Sequence, residues 1–184
     1  MNRLASPAQL RASVLRWALF LVPAVMLLGY LSGVVGGSTA NSPWFMSLEK
    51  PATFPPPVTF GIVWSILYFM MGVALAVVCA AWGARGRSIA IVAFVIQFAL
   101  NLAWTPTFFG AHHITLALAI LLALDLAVVV TTWLFFRVRR LAGWLMLPYL
   151  AWVLFATLLN WQFLQLNPGA DGREVSGSVQ RIEL

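Results

Sequence analysis

The chain has 184 residues, of which 62% are hydrophobic and 9% are charged, and its mean hydropathy is +0.92. A soluble domain carries about 25% charged residues, so this composition excludes an ordinary water-soluble globule. The 11 basic residues give a net charge of +6. They fall in short clusters between apolar runs, which is typical of membrane topology and not of a nucleic-acid surface, and no nucleic-acid partner is expected.

Five apolar runs, each long enough to cross a bilayer as a helix, follow one another along the chain. We place spans 1 to 5 at residues 17–35, 58–82, 88–109, 114–136 and 141–166. A basic N-terminal extension, 1–16, precedes them, and a polar C-terminal tail, 167–184, follows. Because backbone groups in lipid must bond internally and strand-like alternation is absent, the sequence predicts an all-α, polytopic membrane protein, a bundle of five transmembrane helices.

The basic residues divide unevenly between the two ends of such a bundle. Most of them precede span 1 or lie in the loops after spans 2 and 4, namely Arg3, Arg11, Arg16, Arg85, Arg87, Arg137, Arg139 and Arg140. The other end carries Lys50, Arg173 and Arg181. The positive-inside rule therefore predicts a cytoplasmic N-terminus and, for five spans, a C-terminus on the outer side.

The loop between spans 1 and 2, residues 36–57, is longer and more apolar than the other connections. Its glycine pair and three consecutive prolines exclude a continuous helix. Long loops in compact proteins are often functional lids, although such a loop can also rest on lipid head groups. We predict that residues 36–57, called the lid below, fold over the outer end of the bundle, with contributions from Trp44, Pro51, Phe54, Pro55 and Pro56.

Aromatic and amide side chains recur at helical spacing in the outer halves of three spans. Span 2 carries Trp64 and Tyr68, span 3 carries Gln97, Asn101, Trp104 and Phe108, and span 5 carries Tyr149, Trp152, Ala156 and Asn160. If these stripes face one another, they line a small-molecule cavity that has a few hydrogen-bonding groups. The alternative is that the amides only join helices while the aromatic rings fill the core.

Three other polar residues have more than one interpretation. Asp125 lies near the middle of span 4, where an acid costs about 2.5–3.5 kcal/mol on insertion scales. It is either a functional proton site or a partner for a polar group on another helix. His112 and His113 either contact a bound ligand or are simply solvated. The sequence shows no nucleophile with its base and no cluster of metal ligands, so we assign no catalytic or metal-binding residue.

Three segments resemble signature regions of the tryptophan-rich sensory protein family (TspO/MBR), also called the translocator protein or peripheral-type benzodiazepine receptor family. The segments are KPATFPPPVTFGIVWSILY, QFALNLAWTPTFFG and PYLAWVLFATLLNWQFLQLNP. Members of that family are five-helix membrane proteins that bind porphyrins, such as protoporphyrin IX and haem, below the first long loop. The resemblance therefore implies a membrane sensor or receptor for a tetrapyrrole, which is a ligand and not an obligatory cofactor.

Carried over residue by residue, the resemblance implies a pocket formed by Trp64, Tyr68, Asn101, Trp104, Trp152, Ala156 and Leu159. The stripes described above add Phe108 and Asn160 to this set. The chain departs from the family where tryptophans are replaced by Thr53, Val58 and Leu116, and we expect these replacements to thin the aromatic lining.

Three functions are compatible with the resemblance: a porphyrin-binding sensor, a transporter of porphyrins or other hydrophobic ligands, and a light-dependent porphyrin-degrading enzyme. The binding protein is favoured, because the five spans show no inverted halves and no catalytic constellation. The expected partners are the lipid bilayer, a hydrophobic small molecule and a second copy of the chain. Family members often form dimers through span 3, and Ala90, Ala93 and Ala99 permit close helix contact there.

Overall fold

A computed structural model describes residues 7–37 and 42–172. Within these ranges all regular structure is helical, and five helices are long and apolar enough to cross a membrane. The chain is thus an all-α, multi-pass integral membrane protein, as predicted. The helices are α1 (Pro7–Val35), α2 (Pro43–Ser47), α3 (Pro57–Cys79), α4 (Arg87–Thr105), α5 (Ile114–Val138) and α6 (Arg140–Leu166). Arg3, Arg173, Arg181 and the end of the predicted tail lie outside the described residues.

Proline determines where two of the long helices begin and end. Pro57 is the first residue of α3, a position at which the missing N–H of proline costs nothing. The next long helix, α4, ends at Thr105, directly before Pro106. The chain continues there as a π-helical turn, Pro106–Gly110. The N–H of Ala111 donates to the Pro106 carbonyl oxygen at 2.8 Å, which closes this wider turn. Turns of this kind often occur at functional sites.

The five long helices form a closed ring in the order α1, α3, α6, α5 and α4. Glycine permits a close contact between α1 and α3. A Cβ atom added at Gly72 of α3 would lie 2.7 Å from the Cα atom of Val22 of α1, so only glycine fits between these two backbones.

Residues 42–57 of the lid pack as a folded segment against the end of the bundle. Trp44, Phe45 and Leu48 are buried and belong to a cluster that also contains Phe108 and Phe163. The Ser42 hydroxyl accepts a hydrogen bond from the N–H of Phe45 and caps α2. This part of the lid is therefore packed and hydrogen-bonded, and its apolar side chains cover the end of the bundle.

The segment that follows α6 is hydrogen-bonded to the lid and to the start of α5. Asn167 accepts a hydrogen bond from the N–H of Glu49 at 2.8 Å and donates one to the Glu49 carbonyl oxygen at 3.0 Å. Four residues further on, Asp171 accepts a hydrogen bond from the Thr115 hydroxyl at 2.5 Å, near the start of α5. Partial burial acts to raise the pKa of Asp171, but hydrogen bonds from Thr115 and Ile114, together with the nearby His113, outweigh it, so the pKa lies below its ordinary value.

Candidate ligand-binding cavity

A cavity of about 790 Å³ lies beneath the lid, surrounded by α1, α3, α6 and the π-helical turn. Its volume falls within the range of about 300–1,000 Å³ that is usual for small-molecule sites. The walls are mainly apolar, and hydroxyl, indole and amide groups provide a few polar points. The lining residues are Met26, Leu27, Gly29, Tyr30, Gly33, Val34, Phe45, Phe54, Pro57, Phe60, Gly61, Trp64, Ser65, Tyr68, Trp104, Thr105, Phe108, Phe109, Ala156, Leu159, Asn160 and Phe163.

Two stacked aromatic pairs form much of the wall. The rings of Trp64 and Tyr68 on α3 lie 5.2 Å apart with an interplanar angle of 26°. Those of Trp104 and Phe108 lie 5.5 Å apart at 27°. In both pairs the residues are four apart in sequence, so the helical path itself places one ring over the next. The resulting flat faces suit a planar π-system, since offset stacking adds to the gain from area burial.

Hydrogen bonds between helices hold these rings in position. The Tyr68 hydroxyl donates to the Asn101 side-chain oxygen at 3.0 Å, and the Trp104 indole N–H donates to the Asn160 side-chain oxygen at 3.2 Å. Deeper in the bundle, the Tyr149 hydroxyl donates to Gln97 at 3.0 Å. The amides of the predicted stripes therefore join helices, and through those bonds they also orient the rings that face the cavity.

Most of the residues predicted for the site come together around the cavity. The lining includes Trp64, Tyr68, Trp104, Phe108, Ala156, Leu159, Asn160 and, from the lid, Phe54. The other predicted lid residues, Trp44, Pro51, Pro55 and Pro56, are not part of the lining.

Two predicted residues lie one layer behind the wall. Asn101 is only 3% exposed and contacts the cavity only through Tyr68. Trp152 packs edge-on against Phe60 and Trp64, with ring centroids 5.7 Å and 6.5 Å away. Both residues support lining side chains and are not placed to touch a ligand.

Helix α1 contributes a whole side of the cavity that sequence reasoning missed. Met26, Leu27, Tyr30 and Val34 line it, and all but Met26 are exposed. The sequence feature that indicates this side is the group of small residues Gly29, Ser32 and Gly33 on α1. A Cβ atom added at Gly29 would overlap the Tyr68 ring, so glycine there lets α1 approach the aromatic wall.

The family departures lie outside this cavity. Val58 and Leu116 are both exposed on the outside of the bundle. Thr53 donates its hydroxyl hydrogen bond to the Gln162 side-chain oxygen at 2.5 Å and thereby connects the lid to α6. None of the three residues lines the cavity, so the thinner aromatic lining stays a prediction.

The remaining polar candidates have structural contacts. The Thr157 hydroxyl of α6 lies 2.9 Å from one carboxyl oxygen of Asp125 of α5, while the other carboxyl oxygen is buried without a partner. His112 has a positive φ of 59° and stacks on Trp44, with ring centroids 4.5 Å apart. Neither Asp125 nor His112 lines the cavity.

Comparison with known proteins agrees with this architecture. The model of the TspO/MBR family matches residues 19–166. Tryptophan-rich protein TspO of Chlorobaculum tepidum is 39% identical over 140 residues, which cover 74% of this chain and 89% of that protein. Protein CrtK of Rhodobacter capsulatus is 36% identical and covers 75% of this chain and 87% of its own length. The human translocator protein is 37% identical over 131 residues, or 70% of this chain and 78% of that protein.

Proposed function

The chain belongs to the TspO/MBR family, and from this premise we propose that it is a membrane receptor that binds a tetrapyrrole such as protoporphyrin IX beneath the lid. The observation that carries the proposal is the cavity of about 790 Å³ with two stacked aromatic pairs in its wall. Its geometry favours a guest that is broad, flat and largely apolar. A role in sensing is supported by the name of a 36% identical relative, the tryptophan-rich sensory protein of Cereibacter sphaeroides.

The polar groups at the wall are few and suit the edge of such a ligand. Trp104 and Asn160 already bond to each other, while the hydroxyl groups of Tyr30 and Ser65 lie on the more exposed side of the cavity. The Ser65 hydroxyl also donates to the Gly61 carbonyl oxygen at 2.7 Å. A tetrapyrrole bound with its ring against the stacked pairs would direct its carboxylate side chains towards these hydroxyl groups, where water or head groups solvate them.

The proposal includes an orientation in the membrane and a mode of association. The positive-inside rule places the N-terminus in the cytoplasm, and the cavity then lies towards the outer side. A dimer through α4 would use exposed residues such as Val92, Val95 and Ile96, because Ala90 is fully buried within its own chain.

The direct test is a titration of the purified protein with protoporphyrin IX, followed by quenching of tryptophan fluorescence. Ala156→Phe adds a ring at the cavity wall and should weaken binding by at least about tenfold, since the ring occupies ligand space. Leu158→Phe is the matched control, because Leu158 is 44% exposed on the outside of α6, whereas Ala156 is 9% exposed. Equal affinity in both variants would show that porphyrin does not bind in this cavity.

A further inference from the structure

A second cavity, of about 510 Å³, lies at the arginine-rich end of the bundle, away from the lid. It is a groove between the start of α1, the end of α3 and the turn that joins α5 to α6. The lining residues are Arg11, Val14, Leu15, Val77, Ala80, Arg139 and Leu141. We call these seven residues the basic groove. Two arginines far apart in sequence thus meet above walls that are otherwise apolar.

The side chains of the two arginines of the basic groove form no hydrogen bond, ion pair or ring contact with the part of the chain that the structure describes. Two other arginines at the same end are engaged within the chain. Arg87 donates to the Cys79 carbonyl oxygen at 3.1 Å and 2.8 Å, and Arg137 lies 5.0 Å from the centre of the Trp133 ring. The side chains of Arg11 and Arg139 are therefore available to an anion from outside the chain.

No acidic side chain that the structure describes can neutralise this groove. Glu49 belongs to the lid and Asp171 follows α6, so both lie at the opposite end of the bundle. Asp125 lies near the middle of α5 and contacts Thr157. The described residues thus leave the positive charge at the groove uncompensated, and this charge attracts an anionic group.

The order of residues along α1 matches the layering of a lipid monolayer. Arg11 is followed one helical turn later by Val14 and Leu15, on the same face of the helix and deeper in the apolar span. Nearby, Trp17 and the exposed Trp82 lie with ring centroids 6.4 Å apart, and tryptophan at such a position marks the head-group level. The groove therefore changes from cationic to apolar at the depth where a phospholipid does.

We propose that the basic groove binds one anionic phospholipid. Its phosphate lies between Arg11 and Arg139, and one acyl chain follows the apolar wall formed by Val14, Leu15 and Val77. Guanidinium groups bind phosphate oxygens through paired, charge-assisted hydrogen bonds, and basic pockets between transmembrane helices are known to select anionic head groups. The site is separate from the cavity beneath the lid and does not depend on the function proposed for that cavity.

The experiment compares phosphatidylglycerol with phosphatidylcholine of the same acyl chains, using native mass spectrometry of the purified protein. Wild type should retain phosphatidylglycerol preferentially. Arg11→Gln with Arg139→Gln should lower that preference by about fivefold for each arginine removed. The matched control is Arg16→Gln with Arg137→Gln, which removes the same charge from the same end but leaves the groove intact. An equal loss in both double variants would overturn the site in favour of general charge attraction.

A second arm tests the apolar wall without changing any charge. Leu15 and Leu141 are 64% and 60% exposed, so replacing both with serine should leave the fold intact, as checked by the thermal midpoint. The variant should release phosphatidylglycerol more readily, and millimolar glycerol phosphate should not displace the lipid from wild type. Full retention in the serine variant, or displacement by glycerol phosphate alone, would show that the groove does not bind a lipid chain.

Discussion

The indole N–H of Trp104 donates to the side-chain oxygen of Asn160 at 3.2 Å, and the amide nitrogen of Asn160 donates to the Ile114 carbonyl oxygen at 3.0 Å. One side chain on α6 therefore connects the end of α4 with the beginning of α5, directly at the cavity wall. Hydrogen bonds between membrane helices contribute about 0.6 kcal/mol each on average. Asn160 thus combines a modest structural contribution with control over the position of an aromatic ring.

Asn160→Leu tests this connection while preserving the size of the side chain. We expect the free energy of unfolding to fall by about 1 kcal/mol, since two interhelical hydrogen bonds are lost. The measurement is reversible unfolding in mixed micelles. Quenching by protoporphyrin IX should weaken at the same time, because Trp104 loses its fixed orientation. An unchanged affinity together with unchanged stability would contradict the role given to Asn160.

A pair of glycine substitutions distinguishes the packed side of the cavity from its open side. Gly29→Ala should lower the free energy of unfolding by about 1–3 kcal/mol, because the added methyl group overlaps the Tyr68 ring. Gly61→Ala is the control, since a Cβ atom there has no neighbour within 4 Å. The control should be neutral or stabilising by up to about 1 kcal/mol, from helix propensity. Thermal unfolding measures both variants, and a tolerated Gly29→Ala would show that α1 packs less closely than described.

The contact between Asp125 and Thr157 lends itself to a double-mutant cycle. Thr157→Val removes the hydrogen-bonding partner of Asp125 and should cost about 1–3 kcal/mol of unfolding free energy. Asp125→Leu combined with Thr157→Val should recover most of that loss, because no unpaired polar group then remains between α5 and α6. Thr131→Val is the control, as the Thr131 hydroxyl bonds only to the Ala127 carbonyl oxygen of its own helix. The cycle also needs the single variant Asp125→Leu. If the losses of unfolding free energy in the two single variants simply add up in the double variant, the two side chains do not interact.

The contact between Asp171 and Thr115 should depend on pH in a defined direction. Because the pKa of Asp171 is lowered in the folded protein, its contribution to stability is complete above the ordinary value of about 3.9 and is lost as the pH falls through the lower folded value. The measurement is the hydrogen-exchange protection of residues 167–172 in wild type and in Asp171→Asn, compared at each pH. The greater protection of wild type should persist at pH 5 and disappear only below about pH 4. Loss of this protection near pH 6.5 would show that a group other than the Asp171 carboxyl controls it.

The number of the spans could be predicted from the sequence, since continuous apolar length has few alternatives in a bilayer. The start of the first helix could not, because α1 begins at Pro7 and continues through the basic residues before the apolar run. The aromatic part of the site was also predictable, because spacings such as that of Trp64 and Tyr68 survive in any helix. The contribution of α1 was not, since Gly29 acts through the side chain that it lacks. Periodicity also could not show that Asn101 bonds to Tyr68 and is hidden behind it, because the distance between two helices leaves no trace in the spacing along either one.

The exposed flank of the cavity on α1 affects how any affinity should be understood. Leu27, Tyr30 and Val34 belong to the cavity wall and are more than half exposed, so the cavity is open along α1. A guest arriving from the bilayer leaves a medium as apolar as these walls, so solvent exclusion contributes little to its binding. Selectivity then depends on the shape of the cavity and on its few polar atoms. Dissociation constants for such a guest are comparable only when expressed as mole fractions in lipid or detergent, because the amphiphile competes with the protein as a solvent.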